Sequence, residues 1–232
     1  VDEIVFLGDL LTYGCNVQDT IDLIFEYSKK RKVHFIKGNH DQIYFDMQAN
    51  NDFQYKPFPD FILESALHTY EHLRTNLRER FHWKESLVIS NVYLSHANGL
   101  GYGNWGYLNK VNEIIETAKF ILKKGYLGGV FGHTHRSRLS VYYNTEDMHD
   151  VPIIEGKSSI EPLSGKCFIA NSGSVGQPRG AQPSILFINI ERSVVRVNVQ
   201  PIYYNVSKHC ESILLSTLSK ETKNKLISYY EN

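Results

Sequence analysis

The chain opens on an uninterrupted apolar run, Ile4-Val5-Phe6-Leu7, that ends in Gly8-Asp9. A short continuous run closed by glycine reads as a strand covered on both faces. Asn16 then stands where a helix cap belongs, and Ile21, Ile24, Phe25 and Tyr27 or Ser28 recur at helical spacing up to about Lys32. Val33 to Lys37 is a second short strand, closed by Gly38-Asn39-His40-Asp41. Strand, helix and strand predict a parallel βαβ unit whose loops after the strands face one sheet edge, where ligands of such sheets bind. Gln42 to Pro59 is aromatic without a clean period and reads as irregular. Asp60 then caps a helix to about Arg80, with Leu63, Leu67, Tyr70, Leu73 and Leu77 as its buried stripe. His68 and His72 project opposite that stripe, onto a solvated face.

Further along, Leu87 to Ile89 and Val92 to Leu94 flank Ser90-Asn91 and predict paired strands, the second leading into Ser95-His96-Ala97. Asn109 caps a helix carrying Val111, Ile114, Ile115, Ala118, Ile121 and Leu122 on one face and ending at Gly125. Gly128 to Phe131 is another short strand, closed by Gly132-His133-Thr134-His135. Beyond it the period changes to alternation over Leu139 to Tyr143, Cys167 to Ala170, Ile185 to Ile190 and Val194 to Pro201, which predicts antiparallel strands. From Ser207 onward the spacing is helical again. The pattern is α/β followed by β, with one domain over residues 1–205 and a helical tail over 206–232 packed on it.

Charge removes some functions from consideration. Lys+Arg and Asp+Glu are each 25, so the formal net charge is zero and no global field favours nucleic acid or an anionic membrane. No apolar run approaches the ~20 residues of a membrane-spanning helix. Cys15, Cys167 and Cys210 are widely separated with no Cys-x-x-Cys pair, so a reducing cytoplasm is the expected compartment.

The polar clusters share a location. Gly8-Asp9, Gly38-Asn39-His40-Asp41, His96 and Gly132-His133-Thr134-His135 all end predicted strands. A carboxylate, an amide oxygen and imidazoles converging on one loop edge form an N/O donor set for Mn, Fe, Co, Ni or Zn, with no thiolate to select a softer ion. Each cluster alone is a weak signal, since Gly-Asp is most often a turn and Gly-Asn-His-Asp can be an Asx-turn. Their joint order is what carries the reading.

In that order the clusters resemble the calcineurin-like metallophosphoesterase superfamily, whose pattern runs Asp-x-His, Gly-Asp, Gly-Asn-His-Asp or Gly-Asn-His-Glu, His, then Gly-His-x-His. Four of the five blocks are present. The resemblance covers Val1 to about Pro201, and Asn171-Ser172-Gly173-Ser174-Val175-Gly176-Gln177-Pro178-Arg179 is similar to the late loop of its small prokaryotic branch, with Ser172 in place of the usual proline. It implies an α/β fold tending to α+β, a β-sandwich flanked by helices with a metal site at the strand C-terminal edge. It also implies that Asp9 bridges two divalent ions, that Asn39, His96 and His133 complete one site, and that His135 serves the other. His40 would be the general acid, with Asp41 holding its ring. Such a pair of ions lowers the pKa of a bridging water and stabilises displacement at phosphorus. The missing Asp-x-His block is expected in a β-α unit preceding Val1; without it, one ion rather than two is expected.

The implied activity is a hydrolase of phosphodiesters or phosphomonoesters on small or nucleotide substrates. The Gly-rich aromatic loop with Tyr102, Trp105 and Tyr107 is a candidate base-stacking element, and Arg179 a candidate phosphate clamp. The Gly-Asp-x-x-Asp-Arg-Gly form of protein phosphatases is replaced here by Gly8-Asp9-Leu10-Leu11-Thr12-Tyr13-Gly14. The alternative is a non-catalytic protein-binding scaffold of the same fold, against which stands the retained His40.

Overall fold

The computed structural model describes residues 1–52, 58–143, 148–150, 157–160, 165–179, 182–191 and 194–231. Its elements begin with β1 (Ile4–Phe6), α1 (Val17–Ser28), β2 (Val33–Ile36), α2 (Asn39–Gln48), α3 (Asp60–His72), α4 (Leu77–Arg80) and β3 (Trp83–Lys84). Then come β4 (Ser86–Ile89), β5 (Val92–Ser95), α5 (Val111–Lys123), β6 (Gly128–Phe131), β7 (Ser137–Tyr143), β8 (Met148–Asp150) and β9 (Lys157–Ile160). The chain continues through β10 (Lys166–Ser172), β11 (Ser184–Glu191), β12 (Val194–Pro201), α6 (Val206–Leu215) and α7 (Lys220–Ile227). It divides into two compact units, residues 1–84 with 204–232, and residues 85–203.

In the first unit β1, β2 and β3 form a parallel sheet in that order. Phe6 stands opposite Phe35, so the segments following both strands leave the same edge side by side. Phe35 packs on Phe81 with ring centroids 4.2 Å apart, in a core with Leu11, Val17, Ile21, Tyr44, Phe45 and Leu77.

Two expectations are corrected here. The stretch after Asp41 is helical as far as Gln48, while residues 53–57 of the same expected loop lie outside the described residues. Asp41 starts this helix: its Oδ2 accepts from the Gly38 N–H at 2.8 Å, serving a backbone donor that the first turn leaves open. Consecutive residues from Asn39 to Asp41 and from Ile43 to Asp46 are buried, and a helix buried nearly all round shows no amphipathic stripe.

The helix starting at Asp60 stops at His72, capped by Pro59 rather than by Asp60, and its buried face is not the leucine stripe. Leu67 is 45% exposed, whereas Ser65, Ala66, His68 and Thr69 are buried. Polar contacts orient it. The Glu64 carboxylate accepts from the Ser219 and Thr222 hydroxyls and the Ser219 N–H, at the first turn of α7. Burial works against the Glu64 charge, but these donors outweigh it and hold the carboxyl below its ordinary range. The break after His72 is held by two glutamines: Gln18 Oε1 accepts from the Arg74 N–H while its Nε2 donates to the Thr75 hydroxyl oxygen, and Gln48 Oε1 accepts from the Leu77 N–H while its Nε2 donates to the Thr75 carbonyl. In the tail, Ile213, Leu218 and Leu226 pack against Tyr13, Cys15 and Phe61 of this unit.

The second unit has a six-stranded sheet in the order β4-β5-β6-β10-β7-β8 and a three-stranded sheet β11-β12-β9. β5, β6 and β10 run parallel and the remaining pairs are antiparallel. The Cys167 strand, expected among antiparallel neighbours, therefore borders β6 in parallel and β7 in antiparallel fashion. Helix α5 buries Ile114, Ala118 and Ile121 against Phe131, Tyr142 and Ile169. Ser95 of β5 stands opposite Phe131 of β6, so His96 and Gly132 emerge together from the parallel ends. Among the described residues, no helix is long and apolar enough to cross a membrane.

Candidate functional site

In the first unit the chain after β1 turns sharply, with Asp9 at φ +56° and Thr12 at φ +107°, values that non-glycine residues rarely take. Asp9 Oδ1 accepts the His40 N–H at 2.8 Å, so its carboxylate lies against the start of α2. Gly38 makes this approach possible: a Cβ there would stand 2.1 Å from Asp9 Oδ1. Asn39 and His40 are buried beside it on the first turn of α2.

Asp41 is fully buried, and its carboxylate accepts from the N–H groups of Asp9 (2.7 Å), Leu10 (3.2 Å) and Gly38 (2.8 Å). Burial, and then the nearby Asp9 carboxylate, push its pKa up against the pull of those three donors. The expectation that Asp41 holds the His40 ring is corrected: its oxygens are committed to the backbone of the Gly8-Asp9 turn. The ring is held instead by Thr12, whose Oγ1 lies 3.0 Å from His40 Nδ1, and by Tyr13, whose hydroxyl lies 3.2 Å from His40 Nε2. Thr12 Oγ1 is itself 2.6 Å from the Tyr44 hydroxyl, a phenol that burial pushes strongly toward its neutral form. Thr12, Tyr13 and Tyr44 were not among the candidates, because a threonine and two tyrosines near a Gly-Asp turn follow no recognisable spacing.

In the second unit His96 and His133 end adjacent parallel strands, and His96 Nε2 lies 3.1 Å from His133 Nδ1. His133 Nε2 is 3.0 Å from the Trp105 carbonyl oxygen, and His135 Nδ1 is 2.8 Å from that of Gln177. A carbonyl only accepts, so each of these nitrogens carries the proton in the neutral ring, and the lone pairs are on His133 Nδ1 and His135 Nε2. This is the usual orientation of imidazoles that bind a metal. Two ligand nitrogens ~3 Å apart also suit one ion with metal–nitrogen bonds of ~2.0–2.1 Å. His133 at φ +58° and His135 at φ +59° repeat the left-handed backbone of Asp9. In the second unit the facing nitrogens of His96 and His133 fit a divalent ion.

The two substrate-side candidates, Trp105 and Arg179, lie against the second unit's histidines. Trp105 holds His133 through its carbonyl, and its ring stands edge-on to His96 with centroids 5.9 Å apart. The Arg179 N–H donates to the His135 carbonyl at 3.2 Å, and its guanidinium donates to Gln177 Oε1. The Gly-rich loop is cross-braced, since Asn98 Nδ2 donates to Asn104 O, Asn104 Oδ1 and Gly106 O. Asn171 Nδ2 donates to the Gly132 carbonyl and supports the turn into His133.

A family model, the calcineurin-like phosphoesterase superfamily domain, matches residues 1–193. The chain belongs to this superfamily. Its members are generally metal-dependent phosphoesterase hydrolases. The calcineurin-like chain is 23% identical over 220 residues to an uncharacterised protein of Methanocaldococcus jannaschii, covering 94% of its own length and 83% of the relative's. In fold it is similar to a metallophosphoesterase of Sphaerobacter thermophilus, with a TM-score of 0.67, 17% identity, and 99% and 89% of the two chains covered. It is likewise similar to a hypothetical protein of Pyrococcus horikoshii OT3, with a TM-score of 0.71, 14% identity, and 97% and 84% covered. Among calcineurin-like folds, then, the mixed sheets flanked by helices are the expected architecture.

Proposed function

We propose that this protein hydrolyses phosphodiester or phosphomonoester bonds of small or nucleotide substrates in a metal-dependent reaction. Asp9, Asn39, His96, His133 and His135 are assigned as metal ligands. The observation that carries the assignment is the pair of ring nitrogens 3.1 Å apart on His96 and His133, with the far nitrogen of His133 fixed by a carbonyl. Divalent ions held by such ligands supply Lewis acidity toward phosphoryl oxygens and a nucleophile at neutral pH.

The chain's own residues do the rest. His40 gives a proton to the departing oxygen, work that contributes ~10²–10⁴-fold when the leaving alkoxide is a poor one. Thr12 fixes the ring from the Nδ1 side, so Nε2, beside the Tyr13 hydroxyl, is the atom that passes the proton. Asp41 keeps the Gly8-Asp9 turn closed and thereby holds the Asp9 carboxylate in place. Arg179 and the ring of Trp105 are assigned to the substrate side.

The reading is tested by turnover of bis(p-nitrophenyl) phosphate and p-nitrophenyl phosphate after chelation and re-addition of Mn²⁺, Co²⁺, Ni²⁺, Fe²⁺ or Zn²⁺. Metal-restored activity that His133→Ala removes supports it. Full metal uptake with no turnover of either ester, or of nucleotide diesters, would favour the scaffold.

A further inference from the structure

His68, Glu71 and His72 on α3 stand at i, i+3 and i+4, which places three side chains on one helical face. None belongs to the calcineurin-like motifs. The ligand atoms these three offer all lie within 4.8 Å of one another, and the two rings have centroids 4.4 Å apart. The sequence placed both histidines on a solvated face, yet His68 is only 9% exposed while Glu71 and His72 face solvent.

Both rings are already oriented. His72 Nδ1 lies 2.7 Å from the His68 carbonyl oxygen, which can only accept, so Nδ1 holds the proton and Nε2 the lone pair. His68 Nδ1 lies 3.2 Å from Thr217 Oγ1, which can accept in the same way. One nitrogen donating to an oxygen and the other left toward an ion is the arrangement that fixes tautomer and ring angle in metal-binding imidazoles. Burial first, and then the neighbouring His72, hold the His68 pKa below its ordinary value, which favours the neutral ring that ligation needs. A freely solvated histidine pair would show neither the buried ring nor the engaged Nδ1 atoms.

We propose that His68, Glu71 and His72 form a separate divalent-cation site of the zinc class, two imidazoles and a carboxylate with the remaining position open to water. Such a ligand set suits Zn²⁺, and Co²⁺ reports on the same geometry. Its place gives it a role. Thr217 lies between α6 and α7, and Glu64, one turn before His68, caps α7, so an ion here braces the end of α3 that holds the helical tail.

The test is titration of the full chain, stripped by chelation, with Co²⁺ followed by Zn²⁺, in a His133→Ala background that removes a ligand of the phosphoesterase centre. One cobalt equivalent with visible absorption is expected to remain. His72→Ala should abolish it, and Glu71→Gln should weaken it at least tenfold. Because His72 is exposed, the metal-free variant should melt with its parent, and Zn²⁺ should raise the melting temperature of the parent alone. Cobalt stoichiometry and affinity unchanged by His72→Ala, or no cobalt bound in the His133→Ala background, would overturn the proposal. Phosphoesterase activity is measured separately in the otherwise unaltered chain, where His72→Ala should leave it intact, so failure of this site and failure of the catalytic reading are distinguishable.

Discussion

Gly38→Ala isolates the contact between the two motifs of the first unit. Gly38 has φ −95° and ψ 178°, a conformation alanine adopts without strain, so the substitution acts through its methyl group alone. That methyl would stand 2.1 Å from Asp9 Oδ1, 2.7 Å from Asp9 N and 2.9 Å from Asp9 Cγ. The carboxylate must retreat by about 0.9 Å to restore even a tight contact of about 3.0 Å. Overpacking of this kind costs about 1–3 kcal/mol of stability, and a ligand or catalytic group displaced by ~1 Å costs ~10²-fold in rate. The carboxylate retreats from the His40 N–H as well, so both metal uptake and kcat/KM should fall. The assay pairs elemental analysis with kinetics on bis(p-nitrophenyl) phosphate and with a melting curve. A variant with wild-type metal content and kcat/KM within about twofold of the parent would refute the assignment of Asp9 as a ligand.

Three further outcomes follow from the same geometry. His40→Ala should lower kcat strongly for an alkyl ester and much less for an activated aryl ester, with metal content unchanged; equal losses for both would remove His40 from the acid role. His68 and His209 have pKa values lowered by burial, His209 with its Nε2 3.0 Å from the Tyr230 hydroxyl. The unfolded chain therefore binds their protons more readily, so their contribution is complete above a pH of about 6.5 and is lost as the pH falls from there toward the folded values. Urea midpoints should drop between about pH 7.5 and about pH 5.5 and drop less in His209→Gln; an equal drop would discharge His209 from the effect. Trp105→Ala should raise KM roughly 5- to 150-fold for nucleotide diesters only, if a base stacks on the ring at ~1–3 kcal/mol; a matched change with bis-aryl phosphate would make the ring a support for His96.

The strands that carry the site were legible because each is a short apolar run leading into a polar cluster, with glycine at the junction in three of them, Gly8, Gly38 and Gly132. Parallel order brings such closures to one edge within each unit, as Phe6 opposite Phe35 and Ser95 opposite Phe131 show. Helix α2 was not legible, since burial around Ile43, Tyr44 and Phe45 leaves no period to read. The face of α3 was misjudged for a different reason: Glu64, His68 and Thr69 are turned inward by hydrogen bonds from distant segments, and these outweigh the pull of Leu63 and Leu67. Spacing also could not show that Thr12 rather than Asp41 orients His40. That exchange follows from backbone geometry, because the left-handed turn at Asp9 points its N–H and that of Leu10 at Asp41 and so occupies the carboxylate.

The central claim is that histidines of this chain hold a divalent ion, and anomalous diffraction at the manganese edge from crystals grown with Mn²⁺ tests it most directly. The account predicts a peak bonded to His96 Nε2 and His133 Nδ1 at about 2.0–2.3 Å, lost in His133→Ala. Manganese found only on other side chains, with those two nitrogens still hydrogen-bonded to each other, would contradict it.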